Sequence, residues 1–118
     1  KVKQVMEHII SGVVVKGDGY GRKIGFPTVN LSHEDKDLPT EGVYSGKAVL
    51  EDTEYRAGIV VGPEVECKHK LEAHLISFAG DAYGKVVTLE IKKFLRAYKH
   101  FATEEELINQ IKKDIEQC

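Results

Sequence analysis

The stretch GYGRKIGFPTVNL, residues 19–31, carries the densest group of residues in this chain that could do chemistry. Gly17, Gly19, Gly21 and Gly25 make a glycine-rich loop with Arg22 and Lys23 inside it. Glycine lets backbone N–H groups approach phosphate oxygens, and the two cations supply charge, so the composition suits a triphosphate. Pro27 fixes the backbone just ahead of Thr28 and Asn30. In extended chain these two residues point the same way. A hydroxyl beside an amide carbonyl suits a magnesium ion already carrying phosphates and waters. Residues of these types near a turn also satisfy local backbone groups, which is the plainer reading of the pair. Neither common phosphate-loop motif fits. The G-x-x-x-x-G-K-[ST] spacing is absent, and Pro27 stands where a dinucleotide-binding helix would open.

A loop of this kind needs a rigid frame, and the rest of the chain is patterned as strands. IISGVVV, Ile9 to Val15, is short, β-branched and interrupted by glycine. VYSGKAVLE places Tyr44, Ala48 and Leu50 on one side, and EYRAGIVVG does the same with Tyr55, Ala57, Ile59 and Val61. KLEAHLISF puts Leu71, Ala73 and Leu75 on one face and Glu72, His74, Ile76 and Phe78 on the other. VVTLEI alternates through Val87, Leu89 and Ile91 until Lys92-Lys93 breaks the pattern. Residues 32–42 read as a surface loop and GDAYGK as a turn. Five strand-like runs with no helical pattern between them predict a mainly β fold, with antiparallel strands in a closed barrel or sandwich. The end differs. Thr103 and Glu106 form a capping box, and Leu107, Ile108, Ile111 and Ile115 make one helical stripe. That stripe predicts a C-terminal helix that closes the barrel and covers its core.

With 118 residues the chain reads as one domain, 1–118. It begins at Lys1 rather than Met, so residues 1–8 read as a linker from a preceding domain. A net charge of −2 gives no electrostatic case for nucleic acid or an anionic membrane as the main partner. No apolar run approaches membrane-spanning length. Two cysteines, Cys67 and Cys118, supply no disulfide framework, which fits a reducing, cytoplasmic setting. Cys67, His69 and His74 are soft-metal ligand types, but no fourth ligand stands near them. Glu72 is a carboxylate on the non-core face of its strand, either solvated or aimed into a pocket. From the residues alone the solvated reading is the stronger.

GVVVKGDGYGRKIGFPTVNL closely resembles the opening of the riboflavin kinase family, which includes the C-terminal kinase half of bacterial bifunctional FAD synthetases. The matching residues are Gly12, Gly17, Gly21-Arg22 and Gly25-Phe26-Pro27-Thr28-Val29-Asn30. The resemblance continues in order through Gly42-Val43-Tyr44, Glu72 and His74, Asp81 with Tyr83-Gly84, Leu95-Arg96, Phe101 and the final helix with Asp114.

That resemblance implies a six-stranded antiparallel Greek-key barrel with a C-terminal helix. It implies transfer of the ATP γ-phosphate to the 5′-hydroxyl of riboflavin, giving FMN and ADP. By the same resemblance Thr28 and Asn30 hold magnesium and phosphate, and Gly17, Gly21, Arg22 and Lys23 belong to the nucleotide loop. Glu72 takes the place of the catalytic base, and Leu95, Arg96, Phe101 and Leu107 lie where the flavin is covered. His74 is expected to hydrogen-bond within the barrel. A fused or associated FMN adenylyltransferase domain is an implied partner. Two family motifs are altered. Gly62-Pro63-Glu64-Val65 stands in place of Gly-x-x-Pro-Thr-Phe, and Leu95-Arg96-Ala97-Tyr98 in place of Leu-Arg-Pro-Glu. The first change supports the alternative, a flavin- or nucleotide-binding module that keeps the barrel without turnover.

Overall fold

Every long run of alternating residues becomes a strand, and the strands roll into a closed barrel. The computed structural model describes residues 8–17, 23, 25–33, 38–65 and 68–118. The strands are β1 (His8–Val15), β2 (Val29–Leu31), β3 (Gly42–Leu50), β4 (Thr53–Val65), β5 (Lys68–Leu75) and β6 (Val86–Arg96), followed by helix α1 (Glu104–Glu116). All neighbouring strands are antiparallel, in the closed order β1-β2-β5-β4-β3-β6. β3, β4 and β5 are consecutive neighbours, and β6 returns beside β3, which is a Greek key.

The inward faces match the alternation. Ala48, Ala57, Ile59, Val61, Val87 and Leu89 are completely buried, and Leu71, Ala73 and Ile91 nearly so. Small and large side chains together fill a barrel too narrow for a channel. Close strand contact needs glycine at two points: a Cβ at Gly46 would overlap the Glu90 carbonyl, and one at Gly12 the Ser32 carbonyl.

Three expectations need correction or completion. The sixth strand is β2, only three residues long, which pairs Val14↔Leu31 and Val15↔Asn30 on one side and Val29↔Ala73 and Asn30↔Glu72 on the other. It is too short to show a period, yet it closes the barrel. Phe78 does not continue the outer face of β5. The strand ends at Leu75, Ser77 turns the chain at φ 69°, and Phe78 folds back against the core beside Tyr55. Nor does α1 cover the core. Its apolar stripe is only half-buried, and no helix residue belongs to the buried core cluster. The barrel interior is filled by its own strands, so the helix is free to lie against the outer wall. Residues 1–7 of the expected linker lie outside the described residues, and His8 already opens β1. Among the described residues, no helix is long and apolar enough to cross a membrane.

Candidate active site

Antiparallel register aligns one outward row across five strands. Asn30 pairs with Glu72, Glu72 with Val60, Val60 with Val43, and Val43 with Arg96. Opposite residues share a face, so a polar end (Asn30, Glu72) is continuous with an apolar floor (Val60, Val43). Segment 98–103 and the inner stripe of α1 roof this floor. They enclose a cavity of about 530 Å³ whose walls include Glu72, Lys70, Phe101, Leu107, Ile111 and Ile115.

Arg96 and Asp114 hold the roof in place. Arg96 donates from Nε to Asp114 Oδ1 at 3.0 Å and from Nη2 to Oδ2 at 2.9 Å, and from Nη1 to the Ala97 carbonyl at 3.2 Å. Gln110 Nε2 donates to the same carboxylate at 3.0 Å. The Phe101 ring lies 5.5 Å from the guanidinium carbon, so one side chain ties β6, the helix and segment 98–103, the flap over this cavity, together. At the far end of α1, Cys118 Sγ donates to the Asp114 carbonyl and packs where Gly58 leaves room. Burial pushes this thiol's pKa up, the Asp114 charge adds to that, and Arg56 opposes it. The helix starts on Thr103, whose hydroxyl accepts from Glu106 N–H at 3.1 Å, as the capping box predicts.

A second cavity, of about 910 Å³, opens on the other side of β2. Lys16, Gly17 and Asn30 line one side, and the 78–83 turn lines the other. Asp81 Oδ1 accepts from Tyr83 N–H at 2.9 Å to hold that turn, and Tyr83 is 62% exposed. A Cβ at Gly17 would overlap the Asn30 carboxamide, so glycine lets the loop sit directly on Asn30. Both cavities fall within the usual size of small-molecule sites.

Thr28 lines both cavities. Its hydroxyl donates to Glu72 Oε1 at 3.1 Å, and Lys70 Nζ lies 3.4 Å from Glu72 Oε2. With its one hydrogen given to Glu72, Thr28 offers its surroundings oxygen lone pairs. Thr28 and Asn30 thus offer hard oxygens, the kind magnesium takes when it also carries phosphates, with the Glu72 carboxylate beside them. Against the plainer reading of Thr28, a bond to local backbone, its hydroxyl bonds a side chain 44 residues away on β5.

The two cavities gather most of the residues singled out from the sequence. Gly17 and Asn30 line the larger one, and Glu72, Arg96, Phe101 and Leu107 the smaller. Glu72 is outward, as alternation requires, but roofed; its side chain is 22% exposed. Leu95 is half-buried and Lys23 exposed, and neither lines these cavities. Gly21, Arg22 and Cys67 lie outside the described residues. His74 hydrogen-bonds as expected, though on the outer wall: its Nδ1 lies 2.7 Å from the Pro27 carbonyl. His69 Nδ1 bonds the Gly62 carbonyl at 2.9 Å. Lys16, Lys70 and Tyr98 were not singled out. A lysine directly after the Val13-Val14-Val15 run was the available signal for Lys16, and a lysine two residues before Glu72 for Lys70.

Comparison with known proteins agrees with this layout. The family model described as riboflavin kinase matches residues 5–118. The bifunctional riboflavin kinase/FMN adenylyltransferase of Escherichia coli is 38% identical over 112 residues, covering 89% of this chain and 35% of that protein. The chain therefore spans about a third of the length of such relatives. A Streptococcus pneumoniae structure described as a macrolide-efflux protein superposes with a TM-score of 0.86 at 32% identity, covering 92% of this chain and 37% of that one. Riboflavin kinase from Trypanosoma brucei shares the fold, with a TM-score of 0.68 at 23% identity over 97% of this chain and 78% of that one. A model match across nearly the whole barrel, on a chain whose strands bring Thr28, Asn30 and Glu72 together, places this protein in the riboflavin kinase family.

Proposed function

We propose that this domain transfers the γ-phosphate of Mg·ATP to the 5′-hydroxyl of riboflavin, giving FMN and ADP. The observation that carries this reading is the position of Thr28 at the junction of two cavities, hydrogen-bonded to Glu72. The larger cavity takes the nucleotide, with its phosphates toward Gly17, Thr28 and Asn30. The smaller takes the flavin, its ring over Val43 and Val60 and beneath Phe101, and its ribityl chain toward Glu72. Glu72 accepts the proton of the 5′-hydroxyl as that oxygen bonds to the γ-phosphorus. The bond from the γ-phosphorus to the bridging oxygen breaks, and ADP leaves. Phosphoryl transfer asks for alignment and charge neutralisation more than covalent help, and a site split between two facing cavities supplies alignment. Thr28 and Asn30 would hold magnesium, which when bound neutralises charge on the phosphates. The flap and helix exclude water, so that the acceptor is the flavin hydroxyl. ATP-dependent chemistry of this kind belongs in the cytoplasm. The names of the bifunctional relatives support a neighbouring FMN adenylyltransferase domain as the consumer of the product.

Incubation with riboflavin, ATP and magnesium, followed by chromatography, is expected to yield FMN and ADP in equal amounts. Flavin fluorescence quenching without FMN would instead establish the non-catalytic module. Thr28→Ala and Asn30→Ala each remove one oxygen from a site with few protein ligands. Each is expected to weaken use of Mg·ATP, read as a higher KM for ATP and a lower kcat. Wild-type kinetics in both would remove these residues from the site. Residues 97–103 belong to no strand or helix, yet they roof the flavin cavity. Amide exchange there is expected to slow on saturation with FMN and ADP. Unchanged exchange would mean that the flap does not cover the flavin.

A further inference from the structure

The geometry points to His74 as a positioning residue that sets Thr28 for phosphoryl transfer by holding the Pro27 carbonyl. This inference rests on the riboflavin kinase reading and assigns a role to a side chain outside the proposed chemistry.

β2 is too short to fix Thr28 by itself. Its ladder with β5 consists of Val29↔Ala73 and Asn30↔Glu72, and it stops where Thr28 would oppose His74. The His74 side chain takes over at that point, with Nδ1 2.7 Å from the Pro27 oxygen. A carbonyl only accepts, so Nδ1 carries the hydrogen. The Pro27 carbonyl and the Thr28 nitrogen share one rigid peptide plane, so pinning that oxygen sets the orientation of Thr28. One bond further on, the Thr28 hydroxyl meets Glu72 Oε1 at 3.1 Å. The His74 ring also packs edge-on to Phe26, centroids 6.0 Å apart at 77°, which steadies the residue before Pro27. His74 and Glu72 stand two apart on β5 and so share its outer face. One strand thereby supplies both the proposed base and the anchor for the base's partner. An error of about 1 Å in such an arrangement can cost a hundredfold in rate.

Two substitutions separate the hydrogen bond from the ring. His74→Phe keeps an aromatic ring against Phe26 and loses the donor. His74→Asn loses the ring and keeps an N–H at the position of Nδ1. The measurements are Mg·ADP affinity by calorimetry, riboflavin affinity by fluorescence quenching, and FMN formation. His74→Phe is expected to weaken Mg·ADP binding about tenfold, the scale of one lost hydrogen bond. It is expected to lower kcat by at least as much, and to change riboflavin affinity less than Mg·ADP affinity although the ring borders the smaller cavity. His74→Asn is expected to stay within about threefold of wild type throughout. In a Thr28→Ala background, His74→Phe is expected to add nothing further, because its effect passes through Thr28. The inference is overturned if His74→Phe matches wild type, if Asn is as impaired as Phe, or if the Phe and Thr28→Ala losses multiply. Wild-type protein that binds Mg·ADP and makes no FMN sinks the kinase reading alone, and the affinity comparison still decides the role of His74. Wild-type protein that does not bind Mg·ADP sinks both.

Discussion

Glu72→Gln lowers the rate of FMN formation by roughly a hundredfold or more, the usual scale for loss of a general base. The amide keeps the size of the side chain and an oxygen to accept the Thr28 hydroxyl bond, now at 3.1 Å. It loses the negative charge facing Lys70 and the capacity to take a proton. The floor of Val43 and Val60, the flap and the Gly17–Asn30 contact do not involve the Glu72 charge, so riboflavin and Mg·ADP should bind nearly as before. The loss therefore falls on kcat rather than KM. Single-turnover and steady-state rates on the purified variant check this. FMN production at the wild-type rate would mean that another group takes the proton.

Asp114→Ala carries the largest expected effect on stability. The Asp114 side chain is only 9% exposed and accepts bonds from both Arg96 and Gln110. Removing it leaves a guanidinium, itself only 21% exposed, without its counter-charge. Breaking one side of a buried ion pair costs about 3 kcal/mol, far more than loss of a surface pair. Because the same pair fastens α1 and the flap to β6, riboflavin affinity should fall with stability. The nucleotide cavity, on the other side of β2, should be spared. Urea denaturation with fluorescence titration reads both quantities. A stability change within about half a kcal/mol would show that the clamp does not hold the roof.

The barrel was legible because its inward faces are strictly alternating. Tyr44, Ala48 and Leu50, or Val87, Leu89 and Ile91, can be assigned to one face from spacing alone, and the structure buries them. β2 was not legible as a strand, since three residues with a polar centre carry no period. Asn30 and Glu72 meet only because that strand slots beside β5, a long-range pairing that no local pattern encodes. The environment of Glu72 was hidden for a similar reason. Alternation gave its outward direction, but the roof over it comes from Phe101 and α1, distant in sequence. The helix was found from its capping box and stripe, yet an apolar stripe does not say which surface it faces. Here that surface is the outer wall of the barrel, and the space left between them is the smaller cavity. The Thr28–Asn30 pair lines the larger cavity. Its link to Glu72 required the fold.

The most direct test of this arrangement is a crystal structure of the protein with ADP, magnesium and FMN bound together. ADP is expected in the cavity of Lys16, Gly17, Asn30 and the 78–83 turn. The FMN ring is expected beneath Phe101 and α1, with its phosphate beside Thr28 on the side of Glu72. Flavin bound in the larger cavity, or a phosphate remote from Thr28 and Glu72, would contradict it.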